Sequence, residues 1–271
     1  MTGNNISKTG GIQQTNQAGI TSNPNGNELN LVRIDNASKV PQDSAWVGIN
    51  NRIATAGYSA APEGYEAPTQ EFVDSLVNEL SGQVALVTSP TADKGSIDAI
   101  STVSAHKANV PMKYVTAEGY VKYINPENFP EQGIRKDRFA AEPKYVLPNS
   151  DEYSKATAEV SNSFLATGGR DTTVGDFVNA IKKGNKVIVL NNENIDASIW
   201  DEAKERPNNA SAYLKAVLSG EDLPLIPGKG FTQEFLTEYA DDISKLVKVV
   251  DIEKNGSAQI AAKEAASFLT A

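Results

Sequence analysis

Two turns in the sequence carry the residues best suited to chemistry. In VALVTSPTADKGSIDAI an apolar run ends at Thr88 and Ser89, and a small polar loop leads through Gly95 and Ser96 into a segment of helical period. In FLATGGRDTTVGDF a second apolar run ends at Thr167, Gly168 and Gly169, with Arg170, Asp171 and Thr172 opening the next helical segment. A helix start leaves its first backbone N–H groups unpaired and favours negative charge. Glycine there lets an anion approach the backbone and supplies the positive φ of a tight turn. Both turns therefore predict a phosphate-binding edge. Arg170 could grip a phosphate through its planar fork, or be a solvated turn residue. A third segment, GINNRIATAG, is expected to reach the same edge, where Gly48, Asn50 and Arg52 could bind a purine edge or a phosphate, or only satisfy a turn.

Three carboxylates near these turns are candidates for acid–base or charge-stabilising work: Asp98, Asp171 and Asp176. Asp98 falls in the first turn of its helix, where it could hold ribose hydroxyls, act in catalysis, or complement the helix dipole. Asp176 is the third residue after Thr173 and reads either as a catalytic carboxylate or as part of a helix cap; the local spacing favours the cap. The cluster Arg135, Lys136 and Arg138 is expected in a loop, closing over an anion or simply solvated. His106, late in its helix, is expected to be structural, and Trp46 and Trp200 to be core or interface anchors.

The elements that must position these residues follow from the hydrophobic pattern. Short apolar runs at 45–49, 84–87, 112–115, 163–166 and 186–190 predict buried strands, and residues 145 and 146 a further short one. Between them, helical periodicity runs over 72–80, 95–108, 151–161 and 174–181, with Gly82 and Gly184 as stops. Alternation of this kind predicts an α/β fold: a Rossmann-like parallel sheet with helices on both faces. Beyond Asn191 the pattern becomes helical, around 210–219, over 235–247 and at the end of the chain, giving a helical carboxyl-terminal extension. The expected division is a flexible polar amino-terminal tail over 1–40, the Rossmann-like domain over 41–192, and the extension over 193–271 packed on that domain.

Composition narrows the functions. With 34 Asp and Glu against 25 Lys and Arg, the net charge of −9 repels phosphate backbones, so non-specific nucleic-acid binding is not expected. No cysteine and a single histidine argue against thiolate catalysis and the usual metal ligand sets, so no metal and no further cofactor is expected. No apolar run is long enough to span a bilayer, and no cleaved signal peptide is read at the start. The Gly-, Asn-, Gln-, Ser- and Thr-rich first thirty residues suit either a mere tail or an uncleaved export address like that of bacterial type III effectors. The expected location is thus cytoplasmic, with export as the alternative.

A buried strand, a glycine-bearing turn opening a helix, and a later strand ending in Gly-Gly with Thr at the next helix start resemble the Lonely Guy or lysine-decarboxylase-like proteins of the SLOG superfamily. The resemblance covers about residues 45–191 and implies a Rossmann-like fold, a nucleotide or nucleotide-derived ligand, hydrolysis of an N-glycosidic bond, and a homodimer. On the family pattern PGGxGTxxE, Gly168, Gly169 and Thr172 match, whereas Thr167, Asp171 and Gly175 stand where the family has proline, glycine and its catalytic glutamate. The family's catalytic arginine and lysine would fall near Glu152 and Tyr153. The resemblance therefore implies nucleotide binding at the carboxyl edge of the sheet, with Asp98, Asp171 or Asp176 replacing the missing carboxylate if the protein is an enzyme. The alternative is a non-catalytic interaction protein, such as an exported bacterial effector, built on the same scaffold.

Overall fold

The computed structural model describes residues 18–22, 28–42, 46, 48–80, 82–91, 93, 95–128, 134–192, 195 and 200–271. Eleven strands are present among them: β1 (Ala18–Ser22), β2 (Glu28–Arg33), β3 (Asn51–Gly57), β4 (Val84–Thr88), β5 (Met112–Ala117), β6 (Lys144–Leu147), β7 (Ser163–Thr167), β8 (Lys186–Asn191), β9 (Trp200–Asp201), β10 (Arg206–Pro207) and β11 (Val247–Asp251). The principal helices are α1 (Glu66–Glu79), α2 (Ile97–Ala108), α3 (Lys136–Ala141), α4 (Ser150–Val160), α5 (Asp171–Lys182), α6 (Ala210–Leu218), α7 (Gln233–Glu238), α8 (Ala240–Leu246), α9 (Ile252–Asn255) and α10 (Ala258–Thr270).

Nine strands form one sheet in the order β1-β2-β6-β5-β4-β3-β7-β8-β11. Only β1 runs antiparallel, against β2, and the other eight strands are mutually parallel. The central strands are apolar on both faces because helices cover both. In β7 and β8, Phe164, Ala166, Val187 and Val189 face one core with α4, α5 and α6, while Leu165, Ile188 and Leu190 face the other with α1, α2 and α10. This is the period of two expected of a pleated strand buried on both sides. The architecture is Rossmann-like, and its winding fixes where a ligand site belongs. From β3 the chain proceeds outward through β4, β5 and β6, then returns to place β7 on the other side of β3 and continues through β8 to β11. The reversal at β3 opens a crevice beyond the carboxyl ends of β4, β3 and β7.

Several sequence expectations change. The run at 45–49 is not a strand: among its described residues Trp46 lies in a single helical turn and Gly48 in a turn, and the central strand is Asn51–Gly57 instead. NRIATAG lacks an apolar run, yet it pairs with β4 on one side and β7 on the other, and central position outweighs weak strand preference. Trp46 is buried, with the Lys113 ammonium 4.7 Å from its ring centroid, whereas Trp200 is 53% exposed and is not a core residue. Arg135 precedes a helix, and Lys136 and Arg138 lie in α3 rather than in a loop. The single helix expected over 235–247 is two short helices, α7 and α8, followed by a strand, because the valine-rich VKVVD extends the sheet beside β8. Within the span expected as a flexible tail, Ala18–Ser22 and Glu28–Arg33 are strands, the latter carrying fully buried Leu29 and Leu31. The rest of the possible export address, 1–17 and 23–27, lies outside the described residues. Among those described, no helix is long and apolar enough to cross a membrane.

Candidate functional site

Three loops at the reversal point enclose a cleft of about 570 Å³. One follows β3, with Gly57 at the strand end and Tyr58, Ser59 and Ala60 in the loop. Another follows β4 with Ser89, Thr91 and Asp93, and the third follows β7 with Gly169, Arg170 and Thr172. Helix α2 contributes Ile97 and Asp98, α4 Tyr153 and α5 Asp176, while Tyr120 and Tyr123 project from the 3₁₀ turn of Glu118–Tyr123 after β5.

Two carboxylic acids define the chemistry. Asp98 accepts hydrogen bonds from Thr88 Oγ1 at 2.7 Å, Thr91 Oγ1 at 2.5 Å and the Ser89 backbone N–H at 3.3 Å. Burial outweighs these donors, and nearby Asp93 adds repulsion, so the Asp98 carboxyl is pushed up to about 6. Asp176 accepts a hydrogen bond from Ser154 Oγ. Burial raises it too, to about 6, against the opposing pull of Ser154 and the Lys229 charge, with the Asp98 charge raising it further. The Tyr153 phenol is buried beside both acids, and desolvation followed by repulsion from Asp98 and Asp176 holds it well above the usual tyrosine range. Two acids titrating close to neutrality in one cleft can share the tasks of proton donor and carboxylate.

The glycine turn has the left-handed backbone expected of it. Gly168 and Gly169 have positive φ of 63° and 83°. The Gly168 N–H is already donated to Ser211 Oγ at 2.7 Å, so that amide holds α6 in place rather than serving a ligand. Gly169, Arg170 and Thr172 face the cleft at the amino end of α5, and Arg170 is exposed. Thr167 does not reach the cleft: its Oγ1 lies 2.6 Å from the Tyr65 hydroxyl, which also donates to its carbonyl at 2.8 Å. Asp171 turns away to pair with Arg206 at 2.8 Å.

Of the first turn, Ser89 lines the cleft, whereas Ser96 caps α2 by accepting from the Ala99 N–H at 3.1 Å, and Gly95 packs beside Ala61 and Glu66. Gly48, Asn50 and Arg52 lie at the opposite, amino edge of the sheet. Asn50 donates to Gln83 Oε1 at 2.6 Å, and the Arg52 N–H donates to Asn162 Oδ1 at 2.8 Å, both acceptors standing just before strands β4 and β7. Taking 45–49 as the strand misplaced this loop by a whole strand length. Asp176 sits inside α5, which starts at Asp171 with no side-chain cap, so it is not a capping residue.

Of the four tyrosines of the cleft, Tyr58, Tyr120 and Tyr123 were not singled out in the sequence, and Tyr153 was named only as a position where the resembled family has a basic residue. A signal was present for those three. Tyr58 follows the true β3, and EGYVKY follows β5, so the rule that ligands gather at carboxyl ends of strands points to both loops. Tyr120 and Tyr123 remain 37% and 49% exposed, large aromatic surfaces open to the cleft.

No family model matches the chain, and no curated protein matches it in sequence. Among solved structures, it is similar to the molybdenum cofactor carrier protein of Chlamydomonas reinhardtii at 13% identity and a TM-score of 0.45, covering 82% of this chain and 99% of that one. It is also similar to DNA processing protein A of Streptococcus pneumoniae, at 10% identity and a TM-score of 0.38 over 69% of this chain and 61% of that one. A third similarity is to a molybdenum cofactor binding protein of the phototrophic bacterium Rippkaea orientalis, at 15% identity and a TM-score of 0.35 over 71% and 95% of the two chains.

Proposed function

We propose that the cleft binds a nucleotide or nucleotide-derived ligand and hydrolyses its N-glycosidic bond. The observation that carries this reading is the pair of acids that line one cleft, half-buried Asp98 under three hydrogen-bond donors and buried Asp176 under the Ser154 hydroxyl, both raised toward neutrality by desolvation. Breaking a C–N glycosidic bond places positive charge on the sugar ring and negative charge on the departing base. A carboxylate stabilises the first, and a carboxylic acid quenches the second by giving up its proton. Water then adds to the anomeric carbon and leaves its proton on the carboxylate, so that exchange with solvent restores the starting pair. The other features suit the rest of such a ligand. The amino end of the twelve-residue α5, with Gly169 and Arg170, favours a phosphate, and Tyr120 and Tyr123 offer faces on which a base can stack.

Thermal melts with AMP, ADP-ribose and NAD, with chromatography for released base, test the reading. A ligand that selects the folded state raises the melting temperature, and we expect at least one of the three to do so. No response to any of them removes the proposal and leaves the non-catalytic interaction scaffold in its place. Where binding is seen, Arg170→Ala is expected to weaken it about tenfold through loss of a charge-assisted pair, and Tyr120→Ala or Tyr123→Ala by about five- to tenfold through loss of stacking. Titration calorimetry checks both, and unchanged affinity in all three variants moves the ligand out of this cleft.

A further inference from the structure

The acids of the proposed site differ in what stands behind them. Asp176 receives one hydroxyl, that of Ser154. Behind Asp98 lies a file of buried hydroxyls with no charge in it: Ser101 Oγ donates to Thr55 Oγ1 at 3.0 Å, Thr55 Oγ1 donates to Thr88 Oγ1 at 3.0 Å, and Thr88 Oγ1 donates to Asp98 Oδ1 at 2.7 Å. Ser101, Thr55 and Thr88 are no more than 2% exposed. They come from α2, β3 and β4, three elements that meet only in the folded chain.

The direction of the file follows from the chemistry of its end. An ionised carboxylate can only accept, so Thr88 must spend its one proton on Asp98, must itself be donated to by Thr55, and Thr55 in turn by Ser101. Each bond polarises the next and makes the last hydroxyl a stronger donor. We infer that Ser101, Thr55 and Thr88 are positioning residues that hold Asp98 as the ionised member of the pair, leaving Asp176 to carry the proton. This rests on the N-glycosidase reading for its catalytic meaning. It gives Asp98 the role of the carboxylate under the sugar and Asp176 that of the proton donor to the departing base. Among the described residues, the titratable or charged groups that act on the pair are Asp93, Tyr153 and Lys229, and Arg170, Tyr120 and Tyr123 line the same cleft. Desolvation and Asp93 oppose ionisation of Asp98, Tyr153 feels both acids, and Lys229 favours ionisation of Asp176, so the hydroxyl file works together with the Thr91 hydroxyl and the Ser89 N–H against them.

The test is a pH titration of the aspartate carboxyl carbons by NMR in the full chain without ligand, which needs no activity. Thr88→Val removes the direct donor and is expected to raise the Asp98 midpoint by about one pH unit. Thr55→Val, isosteric and out of reach of Asp98, is expected to move it in the same direction by a few tenths, with Thr55→Ser restoring the parent value. Asp98 titrating above Asp176 in the parent overturns the inference, as does an Asp98 midpoint unmoved by folded Thr55→Val. If Thr55→Val does not fold, Ser101→Ala at the far end of the file serves in its place under the same criterion. A shifted midpoint without base release from any nucleotide sinks the functional reading while the hydroxyl file stands. Base release with an unmoved midpoint sinks the file alone.

Discussion

Asp176→Asn is expected to abolish base release by about 10²- to 10⁴-fold, the range for loss of a general acid, and at the same time to melt higher than the parent at pH 8. The stability gain follows from linkage. The Asp176 carboxyl is raised from an ordinary 3.8 to about 6 in the folded chain, chiefly by burial. Between those two values the folded protein holds more protons than the unfolded one, so the contribution of this group is fully present below about pH 3.8 and is lost as pH rises through about 6. Above that point ionised Asp176 destabilises the fold by on the order of 3 kcal/mol. Asparagine removes the charge, and its amide oxygen still accepts from Ser154. A gain of roughly 5 °C at pH 8 that shrinks towards zero near pH 4 is the expected pattern for a chain of this size. Asp98→Asn is expected to lose activity on the same scale with a smaller thermal gain, because three donors converge on that carboxylate and an amide cannot accept from all of them. Calorimetric melts from pH 4 to 8 decide the matter. A gain independent of pH, or a loss at pH 8, contradicts the buried-acid account.

Gly57→Ala is expected to destabilise the protein by about 3 kcal/mol or more, and to distort the cleft with it. A Cβ on Gly57 would lie 2.0 Å from the Thr167 carbonyl oxygen and 3.1 Å from its carbon. Neither atom can yield easily. Gly57 and Thr167 are register partners in β3 and β7, and the same carbonyl accepts from the Tyr65 hydroxyl at 2.8 Å. Relief requires the two central strands to part at their carboxyl ends, which is where the loops of the cleft begin. Gly48→Ala is the control. Gly48 has a φ of 86° but nothing within 4 Å of the added carbon, so only the conformational cost of about 1 kcal/mol is expected. Denaturant titrations of the two variants give the comparison directly, and a Gly57→Ala midpoint equal to that of Gly48→Ala would rule out the close strand approach.

The layered α/β architecture is legible along the chain, because strands buried on both faces and helices with one apolar face leave a local, periodic record. VALV, SFLA and KVIVL were each legible as strands, and the helices 66–79, 97–108, 150–160 and 171–182 were read to within a few residues except at the start of the first. The same local signals drew attention to Asp98, Ser89, Gly169 and Arg170, all of which line the cleft. Where the carboxyl edge lies along the least apolar strand, and which neighbours each polar group finds there, depend on the folded sheet. NRIATAG is a strand because β4 and β7 flank it, and placing it at 51–57 moves Gly48, Asn50 and Arg52 to the far edge while bringing Tyr58 to the near one. Asp176 became a buried acid rather than a helix cap because α5 begins at Asp171 and Ser154 of α4 packs against its side chain. Periodicity reports which face of an element is apolar. It carries no information on which residues, distant in the chain, meet across the sheet, and the titration of a buried acid depends on those neighbours.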